Sequence, residues 1–198
     1  MPEPRCAFAD STGLRSPSKS SLPCTPPRAQ SLISRGTVDP ETLLLTEEDV
    51  RQSLPQVLYV RPGPPGGQYP AGDVLRAAAA ASAYRRLDVV VGVGGEERPV
   101  TVSALALIFP SAARAEHTFR QVAEAAHLRT DVEGVRVAVE TVTAANGLVS
   151  YWAFITQGPV ILVLTVDTLN PQEISMSEFR QLVLRAGETL KSALPPES

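Results

Sequence analysis

The sequence predicts an α+β domain, a mainly antiparallel five-stranded sheet with packed helices in the order α-α-β-β-α-β-β-β-α. Three observations predict it. Asn146-Gly147 stands between two segments of strand character, and both residue types tolerate the positive φ of a tight hairpin turn. Val160–Thr168 is apolar on both faces over the length of one strand, which suits a central strand covered on both sides. Ser175-Met176-Ser177-Glu178 has capping-box spacing and opens a helix to about Ala193, with Phe179, Leu182, Val183, Ala186 and Leu190 on its buried face.

The remaining elements follow along the chain. Residues 1–40 hold seven Pro and seven Ser with few large apolar residues, a composition that cannot offset its ordering entropy, so a disordered tail is expected there and a single α+β domain over 41–198. Thr46-Glu47-Glu48-Asp49 opens a short helix, capped by Thr46 and stopped by Pro55. Residues 61–72 carry four Pro and four Gly and read as a long loop. Asp73–Leu87 contains the alanine run 77–81 and reads as a helix, since alanine is the best helix former. Five strands are expected at Asp88–Val93, Arg98–Phe109, Val135–Thr143, Leu148–Thr156 and Val160–Thr168. In the second of them Val100, Val102, Ala104, Ala106 and Ile108 share a face; in the third, Val135, Val137 and Val139 do. Ser111 caps a helix to about His127 with Ala115, Phe119, Val122 and Ala126 on one stripe.

Composition bounds the function. The 18 basic and 21 acidic residues give a net charge of −3, and 41–198 alone carries 13 basic and 18 acidic residues, so the broad basic footprint of a nucleic-acid binder is missing. The apolar run from Val160 to Val166 is far below the ~20 residues of a transmembrane helix. The tail has no apolar stretch of the ~7–15 residues that a signal peptide needs. The chain therefore reads as cytoplasmic, or as extracytoplasmic if its start is mis-assigned, and the compartment stays open. Cys6 and Cys24 both lie in the tail and supply neither a disulfide scaffold nor a full zinc ligand set.

Chemical motifs are weak. Val91-Gly92-Val93-Gly94-Gly95 follows a strand, but the next element is again a strand, so no helix N-terminus meets a phosphate. The 61–72 loop lacks a following Gly-Lys-Ser/Thr. There is no nucleophile elbow, and His117 and His127, ten residues apart on one helix, do not make a metal pair. No cofactor is expected. Arg85 and Arg86 read as cations at a helix end. The candidate ligand-binding residues are Tyr69 in the Pro/Gly loop, Tyr151 and Trp152 on a strand, and Asp167 at the end of the apolar strand, where ligand groups often gather. Tyr151 and Trp152 are adjacent and must face opposite sides, so one of the two is expected to fill the core beside Phe154.

Two segments resemble a known family. Leu105-Ala106-Leu107-Ile108-Phe109-Pro110-Ser111-Ala112 leads into a helix with Ala115 and Phe119, and Leu44-Leu45-Thr46-Glu47-Glu48-Asp49-Val50 opens the domain. This resembles the extracytoplasmic sensor-like domains of actinobacterial lipoproteins and receptor kinases over about residues 42–194. The likeness implies a small non-enzymatic ligand-binding or interaction domain. The body departs from many such domains in having no cysteines, and the chain has no lipobox. The expected function is therefore a non-enzymatic ligand-binding or sensor-like domain whose partner is an unknown small ligand or protein. The alternatives are a cytoplasmic protein-interaction module and, third, a small hydrolase without a recognisable triad.

Overall fold

Gly94 (φ 62°) and Gly95 (φ 86°) form the two-residue turn between β2 (Ala81–Val93) and β3 (Glu96–Ile108). Positive φ at both centres matches the right-handed twist of the flanking strands, and glycine adopts it without steric cost. The two strands pair from Ala81↔Ile108 at the far end to Val93↔Glu96 at the turn. The coordinates are a computed structural model. It describes residues 38–64, 72–125, 131–132, 135–144 and 147–194, with backbone alone at 72–74, 125, 131–132 and 135–140. Most of the segment 1–40, the loop residues 65–71 with Tyr69, the helix end with His127, the inward valines of 135–139 and Asn146 therefore lie outside the described residues or side chains.

Around that hairpin stands a sheet of seven strands. The others are β1 (Val57–Pro62), β4 (Asp131–Val132), β5 (Val135–Thr143), β6 (Val149–Gln157) and β7 (Val160–Thr168). Their order is β1-β2-β3-β7-β6-β5-β4, and every neighbouring pair is antiparallel. The sheet has two strands more than the sequence predicts. β1 is too short and too close to prolines to stand out, and β4 has only two residues.

A larger correction concerns Asp73–Leu87. The helix there, α2, covers only Gly72–Ala78, and by Ala81 the chain is already in β2. Alanine's advantage in a helix is a few tenths of a kcal/mol per residue. Pairing Ala81–Leu87 along β3 satisfies the backbone and places Ala83 and Leu87 in the core, which outweighs that preference.

The sheet buries both faces, but unequally. One face, the α4 face, packs against Leu43, Leu44 and Leu45, α1 (Glu47–Ser53) and α4 (Met176–Ala193). Val100, Val102, Ala104 and Ala106 of β3 point to it, as the alternation in the sequence predicts. The opposite α3 face carries Leu105, Leu107, Ile161, Val163 and Phe154 beneath Leu75 of α2 and Ala115 and Phe119 of α3 (Ala112–Ala125). β7 is the middle strand, with Leu162 and Leu164 in one cluster and Ile161 and Val163 in the other.

The helices start where their side chains cap them. Thr46 and Asp49 exchange bonds in a capping box at α1, and Ser175 and Glu178 do the same at α4. Ser111 Oγ accepts the Arg114 amide at 3.2 Å. A brace then ties α4 to α1: Arg185 Nε donates to Asp49 Oδ1 at 2.9 Å and its Nη2 to Gln52 Oε1 at 2.8 Å. Burial pushes the Asp49 carboxyl up, but the Thr46 hydroxyl and amide and the Arg185 guanidinium outweigh it and hold it below its ordinary value. Asp49 thus binds fewer protons folded than unfolded. Its contribution is complete above the unfolded carboxylate pKa of about 3.9 and is lost as pH falls through the lower folded value. Urea denaturation across this range is expected to show a steeper acid loss for the wild type than for Asp49→Asn; equal slopes would contradict the assignment.

Candidate functional site

Strand alternation and register place the candidate residues. Tyr151 and Trp152 face opposite sides of β6. Tyr151 is 5% exposed on the α4 face, its ring 5.5 Å from that of Phe179, and burial pushes its phenol up. It fills the core. Phe154, expected beside the core aromatic, lies instead on the side of Trp152, with ring centroids 6.3 Å apart. Asp167 faces the same side as Trp152, because β6 pairs Trp152 with Thr165 and Ser150 with Asp167. The structure therefore brings Trp152 and Asp167 together on the α3 face and separates Tyr151 from them.

Among the described residues, α2 and α3 pack on only one end of the sheet on that face. Beyond the apolar layer under α2 and α3 the strands turn polar. Arg86 of β2 stands opposite Ser103 of β3, and Ser103 opposite Thr165 of β7, which neighbours Trp152. The next row runs from Asp88 through Thr101 and Asp167 to Ser150. These groups hold one another. Arg86 Nε donates to Asp88 Oδ1 at 3.0 Å, Ser150 Oγ donates to Asp167 Oδ1 at 2.6 Å, and the Tyr84 hydroxyl donates to Ser103 Oγ at 3.3 Å. Gly63 packs on the Arg86 stem so closely that a Cβ there would sit 2.7 Å from Arg86 Cγ.

Among the described residues of this band, one buried hydroxyl makes no hydrogen bond. Thr165 is 3% exposed and its hydroxyl makes no hydrogen bond. A buried hydroxyl left unsatisfied costs about 1–3 kcal/mol. Thr165→Val is therefore expected to stabilise the fold by about 1 kcal/mol in urea denaturation. A loss of stability would mean that the hydroxyl is bonded in solution.

The sequence singles out Trp152 and Asp167 but not Tyr84, Arg86 or Thr165. The first two fall in the stretch read as helix, although Tyr84, Arg86 and Asp88 already show the period of two that marks a strand face. Arg85 and Arg86 are not a helix-end pair. Arg85 points to the α4 face, where it donates to the Leu45 carbonyl at 3.1 Å, and Arg86 to the α3 face. Thr165 is concealed within an apolar run. Glu96 and Glu97 are exposed at the hairpin, and His117 is exposed on α3.

Two open cavities, of about 600 and 460 Å³, lie elsewhere, on either side of Arg185 between α1 and α4. The guanidinium there is already held by Asp49, Gln52 and Glu188, which makes it a brace rather than a receptor. Among the described residues no three His, Cys, Asp or Glu side chains converge on a metal position, and no helix is long and apolar enough to cross a membrane.

Comparison with known proteins agrees at the level of fold. No family model matches the chain, and no curated protein matches it. Among solved structures it is similar to the extracellular domain of PknH from Mycobacterium tuberculosis, with a TM-score of 0.52 and 14% identity, over 76% of this chain and 94% of that one. At that identity the likeness is one of architecture, so the chain shares its α+β fold with an extracellular receptor-kinase domain.

Proposed function

We propose that this chain is a non-enzymatic, sensor-like binding domain, and that it takes a small ligand on the polar half of the α3 face. The observation that carries the reading is the polar half of the α3 face, which the described helices do not cover and where Trp152 and Asp167 are partly exposed beside the buried, unpartnered Thr165 hydroxyl. The shared fold with an extracellular receptor domain supports it. Rigid strands hold the polar groups in place, so little ordering entropy is lost on binding. The reading assigns no catalytic step to the face, since Arg86, Asp88 and Asp167 are each tied to a neighbour there.

A thermal-shift screen of small metabolites against the full chain, followed by Trp152 emission, tests this. Trp152 is the chain's one tryptophan, so its emission reports this face alone. Hits are expected to shift that emission and to weaken in Asp167→Asn. Hits that raise the melting temperature without moving Trp152 emission would place the site elsewhere.

A protein-interaction surface is the second reading, and one observation favours it. Among the described residues the large exposed apolar side chains are Leu58, Tyr59, Val142 and Leu169. An irregularity in β1 between Val57 and Tyr59 turns both Leu58 and Tyr59 to the α3 face, Leu58 over Gly92 and Tyr59 opposite Val90. Val142, opposite Ser150, faces the same way.

A further inference from the structure

The two long edges of the sheet are finished differently. In an antiparallel ladder the backbone N–H and C=O of alternate residues point to one neighbouring strand, and those of the residues between point away from it. At β1 the Gly63 amide donates to the Arg86 carbonyl at 2.8 Å, so the backbone groups of Val60 and Pro62 face outward. Pro62 has no N–H to offer. Arg51 Nη2 donates to the Val60 carbonyl at 3.5 Å, and the irregularity between Val57 and Tyr59 breaks the rest of that edge. Proline, a covering cation and a bulge each discourage a further strand. At the other edge the Ala144 amide donates to the Leu148 carbonyl at 2.8 Å. The backbone groups of Glu140 and Val142 therefore bond inward to β6, and those of Thr141 and Thr143 face outward. β4 covers β5 only at Val135 and Arg136, and among the described residues nothing pairs with the outward groups of Thr141 and Thr143. Thr141, Val142, Thr143 and Ala144 are all exposed, Val142 to 42%. This stretch holds no proline and no lysine, its register with β6 is unbroken, and Thr and Val favour strands.

We propose that β5 is a self-association edge: a second copy of this chain adds its own β5 antiparallel to residues 140–144, about a two-fold axis at Val142. Residue types select both the occupant and the register. Centred there, Thr141 stands opposite the partner's Thr143, and Thr143 opposite the partner's Thr141, and each pair exchanges both of its outward N–H···O bonds. Val142 meets its own copy in the non-hydrogen-bonded pair between them, where Cα atoms approach to about 4.5 Å and side chains lie closest. That contact covers the exposed apolar side chain of the stretch. Position 140 falls opposite Ala144, so no like charges face each other. A two-fold at Glu140 would set that acid against itself, and one at Thr141 would set Val142 against Glu140. Because the β1 edge is closed, association stops at two chains. The proposal is independent of the ligand face, since its contacts are made along the strand edge.

Sedimentation equilibrium of the full chain tests this, under reducing conditions that keep Cys6 and Cys24 from linking chains. The weight-average mass is expected to rise with concentration from 21.1 kDa towards twice that value and no further. Thr141→Pro removes an outward N–H and leaves the β5–β6 ladder its own bonds, which suits proline on an edge strand. It is expected to weaken the dimer about tenfold or more. Val142→Lys sets two cations against each other at the axis and is expected to do the same, with the urea midpoint of the dilute protein unchanged because the position is exposed. Leu58→Lys, on the opposite edge strand, is expected to leave the dimer as it is. A wild type that stays at 21.1 kDa up to about 1 mM would overturn the proposal. So would growth beyond two chains, a dimer that persists in Val142→Lys, or one that Leu58→Lys dissolves. If Thr141→Pro fails to fold, Val142→Lys decides alone.

Discussion

Phe179→Ala is expected to destabilise the fold by about 3–5 kcal/mol, read as a lower urea midpoint with an unchanged slope. Phe179 is fully buried where α4 meets the sheet, and its ring packs on Tyr151. Truncation removes the transfer free energy of the ring and leaves a cavity between a helix and a strand. Neither can close it, because α4 is fixed at its start by Ser175 and Glu178 and at its middle by the Arg185–Asp49 brace. Trp152→Ala, one residue along β6 from Tyr151 but on the partly exposed side, is expected to cost less. Equal losses would mean that Trp152 belongs to the core rather than to a binding face.

Leu162→Ala is the second large effect, about 2–5 kcal/mol and toward the upper end. Leu162 is fully buried at the centre of the middle strand, opposite Ala106 on one side and Ile155 on the other. Both neighbours are held in ladders that extend beyond it, so the lost methyls cannot be replaced by collapse. Chemical denaturation by circular dichroism measures this. A cost below about 1 kcal/mol would show that β7 is not the buried centre of the sheet.

Much of this architecture is legible in the residues. The capping box at Ser175 and the stripe from Phe179 to Leu190 predict α4 almost to the residue, because local bonds and a helical period agree there. β7 is readable as central from its two apolar faces alone. The alanine run misleads for a physical reason: helix propensity acts per residue and weakly, whereas the pairing of Ala81–Leu87 with β3 is a tertiary effect. The candidate site is half legible. Trp152 and Asp167 stand out by residue type, but their shared face depends on the β6–β7 register. The approach of Ser103 to Thr165 depends on β3 pairing with β7 across more than fifty residues of chain, and no local pattern encodes it. Arg76 is inconspicuous in the sequence. The fold lays it over the Tyr84 ring.

The account places binding on the uncovered half of the α3 face, and amide NMR mapping of the full chain tests that most directly. Titration with a metabolite from the thermal-shift screen is expected to move the amides of residues 84–88, 101–103, 150–152 and 165–167, which neighbour one another across four strands of the sheet. Shifts confined to residues 46–54 and 176–193, on the two sides of the Arg185 brace, would contradict it and move the site to the other face of the sheet.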